Sequence, residues 1–366
     1  MTYRSLTAPS KYFQGRGLLC EIYERTCHLG RKFAFLVDEV VYEIVCEKIR
    51  HAFKDKDGEY IYIFHGGEST LAEALRISTI LTENQCDVIV GVGGGKVIDS
   101  AKLAAMQTEN VKTVIVPTSA ASDAPCSANT VIYDEKGTFI RSEKPKENPS
   151  IVLVDTDIIA CAPVRFLVAG MGDAFVTYYE ARACRRAGLR NLSGGQCTQA
   201  GYAIAKLCRD VLLEHGARAR ADVEKKRWSE DVECIAEANI YLSGVGFENN
   251  GVSLAHATYN GLTAVLTPFP VMHGEGVAFG LLLQLIMEYT EAGKWEEEEW
   301  NEVIAFYKSV GLPTSFNQIR IPDPSDELLG RIADAICKGA NAHRETFEVT
   351  PRKVEAALKK IREMEL

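Results

Sequence analysis

The sequence predicts an α/β N-terminal half built on a mostly parallel sheet, followed by an all-helical C-terminal half. Two patterns predict this division. Up to residue 162, short apolar runs at 33–37, 60–64, 88–90, 113–116 and 151–154 alternate with segments of helix formers such as 71–83 and 96–107. The runs are continuously apolar, as suits strands covered by helices on both faces. Their alternation with helices is the rhythm of an open α/β sheet. After Pro163 the β-rich runs largely cease, and helices are expected over 173–186, 198–214, 231–244, 277–289, 295–310, 326–337 and 351–365.

The last of these opens with Thr350-Pro351, an N-cap followed by proline at the first helical position. The acidic run at 296–299 lies near a helix start, where the backbone dipole favours negative charge, and reads as a solvated face. At roughly 100–200 residues per domain, two domains are expected, 1–162 and 163–366. No repeat or low-complexity linker separates them, so close packing with a ligand cleft between them is the expectation.

Composition narrows the function. Hydrophobic residues make up 46% and charged residues 25%, as in ordinary globular proteins, and the formal net charge is −9. No basic footprint points to nucleic acid or an anionic membrane. No stretch approaches the ~18–20 apolar residues of a membrane span, and the first ten residues contain no signal-like apolar run. The eleven cysteines are odd in number, scattered from Cys20 to Cys337 and never spaced C-x-x-C. They read as reduced packing residues of a cytoplasmic protein.

The most informative window of the first half runs from Val88 through Gly93-Gly-Gly-Lys-Val97 to Lys102. A strand enters three consecutive glycines and a helix opens at about Lys96. Glycines let the backbone approach a ligand, and the free N–H groups of the helix start favour a pyrophosphate. Neither G-x-G-x-x-G nor the Walker A pattern fits, because Lys96 and Val97 occupy the deciding positions. Asp38, just beyond the run at 33–37, is placed to accept hydrogen bonds from a dinucleotide's ribose hydroxyls; a solvated strand-end aspartate is the competing reading. Pro117-Thr-Ser-Ala-Ala-Ser-Asp-Ala-Pro-Cys-Ser127 forms a second donor-rich loop, in which Asp123 is the one carboxylate.

Of the seven histidines, His28, His51, His65, His215 and His343 sit in contexts suggesting surface or helix-end positions. His256 lies in a small-residue segment that reads as a short buried helix. His273 lies in a loop before the next helix. With Asp173, expected at a helix start where it could equally be an N-cap, they match a catalytic metal set of three N/O ligands with a fourth position open. Spacing alone does not join the three.

Gly93-Gly-Gly-Lys-Val-Ile-Asp-Ser-Ala-Lys102, Pro117-Thr-Ser-Ala-Ala-Ser-Asp-Ala-Pro125, Gly172-Asp-Ala174, Leu242-Ser-Gly-Val-Gly-Phe-Glu248 and His273-Gly-Glu275 occur in this order, with Val152-Leu-Val-Asp-Thr156 and Glu180-Ala-Arg-Ala-Cys184 between them. In these the chain resembles the glycerol-oxidising branch of the metal-dependent (iron-containing, group III) alcohol dehydrogenase family, nearly end to end. The resemblance implies a dehydroquinate-synthase-like architecture, with an NAD-binding α/β domain and an all-α domain that binds metal and substrate. It implies Asp173, His256 and His273 as ligands of one divalent metal, zinc or else iron. Asp38, Gly94, Gly95, Lys96, Thr118, Ser119, Ser127, Asn129 and Tyr133 would contact NAD, and Asp123 a small polyol. The implied reaction is glycerol + NAD⁺ to dihydroxyacetone + NADH + H⁺, with Tyr259 or water carrying the proton outward, in a homo-oligomer, commonly an octamer.

The chain departs from the family pattern at Tyr259 (usually histidine), Gly276 (usually lysine), Ala121 (usually serine) and Asn129 (usually apolar). These departures bear on substrate preference and proton relay. They keep open 1,2-propanediol, 2,3-butanediol or hydroxyacetone as substrate. More distant readings are a 3-dehydroquinate synthase, a glycerol-1-phosphate dehydrogenase or a nucleotide-binding regulator without turnover.

Overall fold

Six parallel strands build the sheet that the apolar runs predict. In the computed structural model, which describes residues 3–364 apart from 136 and 138, the sheet belongs to a unit formed by Ala8–Pro163 together with Asp222–Gly244. Its strands are β1 (Lys11–Gly15), β2 (Lys32–Val37), β3 (Glu59–Phe64), β4 (Val88–Gly93), β5 (Lys112–Pro117) and β8 (Ile151–Asp155), while β6 (Thr130–Tyr133) and β7 (Phe139–Glu143) pair as a separate antiparallel hairpin. The spatial order is β1-β8-β5-β4-β2-β3. Helices α1 (Ile22–Thr26), α2 (Glu39–Phe53), α3 (Leu71–Glu83), α4 (Gly95–Met106) and α5 (Thr156–Cys161) complete the first stretch of chain.

The central strands show why continuous apolarity was the right signal. Val88, Val90, Val92, Val114, Val116, Ile151 and Leu153 are all fully buried, and one face of the sheet shares a core with Phe33, Phe35, Val45 and Ile49. From β2 the chain steps outward to β3 and then returns to the opposite side of β2 to form β4. At such a reversal, open α/β sheets hold ligands beyond the carboxyl ends of the strands. That is where Asp38 and the glycine turn stand.

Val164–Ala221 and the chain from Val245 onward, joined by the segment ending at Thr7, make the second unit. The helices after Pro163 are α6 (Val164–Arg186), α7 (Gln199–Glu224), α8 (Glu230–Glu237), α9 (Ser243–Asn250), α10 (Leu254–Val265), α11 (His273–Ala292), α12 (Glu297–Val310), α13 (Asp326–Lys338) and α14 (Pro351–Glu363), of which α8 lies in the Asp222–Gly244 segment of the sheet unit. Thr350 caps α14 by accepting from the Lys353 N–H, and Glu297–Glu299 occupy the first turn of α12, both as expected. Between α8 and α9 runs a π-helical turn, Ala238–Leu242, where a continuous helix was expected. Among the described residues no helix is long and apolar enough to cross a membrane, and none of the eleven cysteines is in a disulfide.

Two expectations about site residues are corrected here. Asp173 does not start a helix; α6 begins nine residues earlier, immediately after Pro163, and carries Asp173 in its buried interior. Glycines at 170 and 172 masked that continuity, because in isolation they weaken a helix. His273 lies not in a loop but at the first position of α11, with Met272 as its N-cap.

The glycines that look like helix breakers are packing devices. A Cβ on Gly172 would strike the Gly274 carbonyl and stand 2.9 Å from Leu312 Cδ2, and a Cβ on Gly274 would strike the Ala169 carbonyl. Helices α6 and α11 therefore meet backbone to backbone, which brings Asp173 and His273 together. Gly274→Ala should cost roughly 1–3 kcal/mol by overpacking, read as a lower urea midpoint. Gly330→Ala, in α13 where a Cβ meets nothing within 4 Å, should leave stability unchanged or raise it by up to about 1 kcal/mol.

Candidate metal centre and nucleotide turn

Three side chains from three helices converge in the helical unit. Asp173 of α6, His256 of α10 and His273 of α11 offer ligand atoms that all lie within 4.8 Å of one another. Asp173 is 1% exposed, and both its carboxylate oxygens are buried without a hydrogen-bond partner. His256 Nε2 stands 3.5 Å and His273 Nε2 3.4 Å from Asp173 Oδ1. These are too long for good hydrogen bonds. They do fit donors shared around one ion, since tetrahedral ligands at about 2.1 Å from a small dication stand roughly 3.4 Å apart.

A bare buried carboxylate is costly unless a cation neutralises it. Burial pushes against ionisation of Asp173, but the charges of His273 and His256 hold its pKa below the usual carboxylate range. For His256 burial works against the proton, and the negative charge of Glu180, then that of Asp173, raises its basicity all the same.

Glu180 is the residue that sequence reasoning passed over, quoted only inside a motif. Its carboxylate lies 2.6 Å from His256 Nδ1 and accepts the backbone N–H groups of Ser253 (2.8 Å) and His256 (3.0 Å). A carboxylate on Nδ1 fixes the tautomer that leaves the Nε2 lone pair for a metal. The signal was available: Glu180 follows Asp173 by two helical turns, on the same face. Glu275 has a different task. It accepts from Met272 N–H at 3.0 Å and takes both ends of Arg165 at 2.7 and 2.8 Å, tying the start of α11 to the first turn of α6.

In the sheet unit, packing and ligand demands separate cleanly along Gly91–Gly95. A Cβ on Gly91 would stand 2.8 Å from Ala101 Cβ, and one on Gly93 2.9 Å from Val97 Cβ, so strand-to-helix packing explains both glycines. At Gly94 and Gly95 a Cβ would meet no protein atom within 4 Å, and Gly94 has an ordinary extended backbone (φ −86°). Neither packing nor conformation demands glycine there. The remaining reason is close approach by something outside the protein, at the amino end of α4 where a phosphate is favoured.

Around this turn stand most of the other expected residues. Asp38 caps α2, its Oδ1 accepting from Val41 N–H at 2.8 Å, so the helix-capping role is real. Lys96 pairs with Glu68. Thr118 and Ser119 follow β5, with Thr118 N–H donating to the Gly93 carbonyl at 3.1 Å. Ser127 is buried and Asn129 half-buried in the loop, and Tyr133 sits on β6, bonded through its N–H to the Ser69 carbonyl.

The loop itself is held from several sides. Lys102, buried in α4, donates to the carbonyls of Ala124 (2.5 Å) and Asn129 (3.0 Å). Asn239 Nδ2 donates to the Ala120 carbonyl, and Ser243 Oγ to Asp123 Oδ2, both at 2.9 Å. Gly244 must lack a side chain because a Cβ would stand 2.8 Å from Cys126 Cβ. The π-helical turn and Ser243-Gly244 thus serve the loop carrying Asp123. His65, expected at the surface or a helix end, lies half-buried at the end of β3, with Nε2 2.9 Å from Ser100 Oγ.

Comparison with known proteins yields consistent matches. The family model described as iron-containing alcohol dehydrogenase matches residues 9–156. A glycerol dehydrogenase from Escherichia coli O6:H1 is 40% identical, over 97% of this chain and 95% of its own length. One from Thermotoga maritima is 41% identical, over 96% and 94%. The crystal structure of glycerol dehydrogenase from Schizosaccharomyces pombe superposes with a TM-score of 0.92 at 34% identity, covering 99% of this chain and 91% of that one.

The helix behind the glycine turn gives a pH prediction. Burial pushes the Asp99 carboxyl up to about 6, against the opposing charge of Lys102 and hydrogen bonds from Val131 and Thr130. The folded state keeps this proton to about pH 6, whereas an unfolded aspartate releases it near pH ~4. Between these values the folded state binds more protons, so this group's contribution to stability falls as pH rises, by on the order of 3 kcal/mol. Asp99→Asn lacks that decline. Urea titrations from pH 4 to 7 should show the variant gaining on the wild type across the window.

Proposed function

The chain belongs to the iron-containing alcohol dehydrogenase family, and from that premise we propose that it oxidises glycerol to dihydroxyacetone with NAD as hydride acceptor and zinc as its metal. The observation that carries this reading is the bare, buried Asp173 carboxylate facing two imidazole nitrogens at 3.5 and 3.4 Å. One carboxylate with two imidazoles suits zinc and leaves a position for a substrate oxygen.

When bound, a divalent ion held there would lower the pKa of an alcohol and polarise a ketone, and nicotinamide would supply the hydride acceptor. The protein's own part is to hold and orient. Asp173, His256 and His273 are the proposed ligands, with Glu180 keeping His256 in the ligating tautomer. Gly94, Gly95 and Lys96 receive the pyrophosphate. Asp38 accepts from the ribose hydroxyls and disfavours a 2′-phosphate. Thr118, Ser119, Ser127, Asn129 and Tyr133 line the remainder of the nucleotide. Asp123, fixed by Ser243, accepts a hydrogen bond from a hydroxyl of the polyol. The Tyr259 hydroxyl or water passes the alcohol proton outward. The curated relatives favour glycerol over other small diols. We place the protein in the cytoplasm as a homo-oligomer, an octamer by resemblance, which light scattering would test.

Asp173→Asn and His256→Ala should each lose bound zinc and lower kcat/KM for glycerol by roughly 10³-fold or more, as expected when several kcal/mol of Lewis-acid stabilisation is removed. NADH fluorescence titration should be unchanged in both. Full turnover by a zinc-free Asp173→Asn enzyme would refute the mechanism.

The cofactor assignment has its own test. A Cβ at position 95 would meet no atom within 4 Å beyond its chain neighbours and its own helix backbone, so Gly95→Ala should fold with wild-type stability yet bind NADH at least about tenfold more weakly, the order expected for obstructing close backbone approach to a pyrophosphate. Wild-type NADH affinity in this variant would place the cofactor elsewhere.

A further inference from the structure

The two histidines of the metal centre are oriented by different forces. His256 has the Glu180 carboxylate on Nδ1. His273 is the more exposed, at 40% of its side chain, and among the described residues nothing hydrogen-bonds its Nδ1. A ligand without an outer partner is free to rotate about χ1 and χ2, and so binds metal less well. Something else must fix its ring.

That neighbour is Tyr259. Its ring lies perpendicular to the His273 imidazole, at 90° with centroids 4.7 Å apart, the edge-to-face arrangement that aromatic pairs prefer. Tyr259 follows His256 by three residues on α10, and Gly276 follows His273 by three on α11, so each shares a helical face with its histidine. A Cβ on Gly276 would strike Tyr259 Cδ2 and stand 2.9 Å from Cε2. The ring therefore sits directly on the α11 backbone. Gly276 is in the body of a helix without a positive φ, so conformation gives no reason for glycine there; the ring does.

We propose that Tyr259 is the positioning residue for His273, and that Gly276 is without a side chain in order to seat it. The proposal rests on the metal reading of the site. It assigns the ring a task separate from any proton-carrying by the hydroxyl. Tyr259→Phe keeps the ring and Tyr259→Ala removes it; Gly276→Ala keeps the ring but displaces it.

The test is zinc affinity, measured by competition with a chromophoric chelator, with NADH binding and thermal melting as controls for folding. Tyr259→Phe should match the wild type. Tyr259→Ala and Gly276→Ala should each bind zinc about tenfold more weakly, the low end for losing an outer partner of a ligand. The double variant should be no worse than Tyr259→Ala, because the glycine serves only the ring. Wild-type affinity in Tyr259→Ala, or a Gly276→Ala loss that adds in full to the Tyr259→Ala loss, would overturn the proposal. Equal zinc content in wild type and Asp173→Asn would overturn the metal reading itself, an outcome recognisable before any Tyr259 variant is made.

Discussion

Everything in the helical unit is arranged around one unfavourable act, the burial of the Asp173 carboxylate without a hydrogen-bond donor. A charge in that position is tolerated only when opposite charge is close. The two facing imidazoles, at hydrogen-bond fringe distance, do not supply that as neutral groups. A dication would. The surrounding architecture follows from this demand: glycines at 172 and 274 let α6 and α11 touch, Glu275 and Arg165 lock the start of α11 to α6, and Glu180 turns His256 so that the correct nitrogen faces inward.

The glycine turn before α4 obeys a different constraint, and its glycines divide according to which one they answer. Gly91 and Gly93 are demanded by the fit of α4 against β4; Gly94 and Gly95 are demanded by nothing in the protein. A pair of adjacent glycines at a helix start, beyond the strand ends where the sheet order reverses, is an arrangement that suits a phosphate held through backbone N–H groups. Asp38, just beyond β2, has one oxygen already committed to capping α2.

Much of this was legible in the sequence because it is local. The buried strands announce themselves by unbroken apolarity, and α14 by its Thr350 cap. What escaped notice was non-local or of mixed polarity. β1 is an edge strand with a half-polar sequence, and the β6–β7 hairpin has short strands with an exposed, charged side. The start of α6 was hidden because glycine lowers helix propensity, while its compensation, contact with α11, lies about a hundred residues away. His273 was misplaced because the prolines at 268 and 270 read as a loop running past it, although the helix opens on it. Glu180 could have been found by helical spacing from Asp173, but nothing local says that its partner is the Nδ1 of His256. The three ligands themselves were joined only by resemblance, since spacing cannot close a site across three helices.

The loop carrying Asp123 shows why long-range assembly is required at all. Small hydroxyl residues and prolines supply donors and limit conformations, but they bury little apolar surface, and such a loop would not hold a fixed shape by itself. Its carbonyls are instead taken by Lys102 and Asn239, and Asp123 by Ser243. Two of these three come from residues 222–244, more than a hundred positions further along, Asn239 within the π-helical turn Ala238–Leu242 and Ser243 directly after it. Asn239 and Ser243, four apart, share one face of the helix. One short helical segment thus reaches both the Ala120 carbonyl and the Asp123 carboxylate. A chain that rejoins the sheet unit after forming helices elsewhere accepts a slower, non-local folding route. The gain is a polar loop held still enough to present one carboxylate.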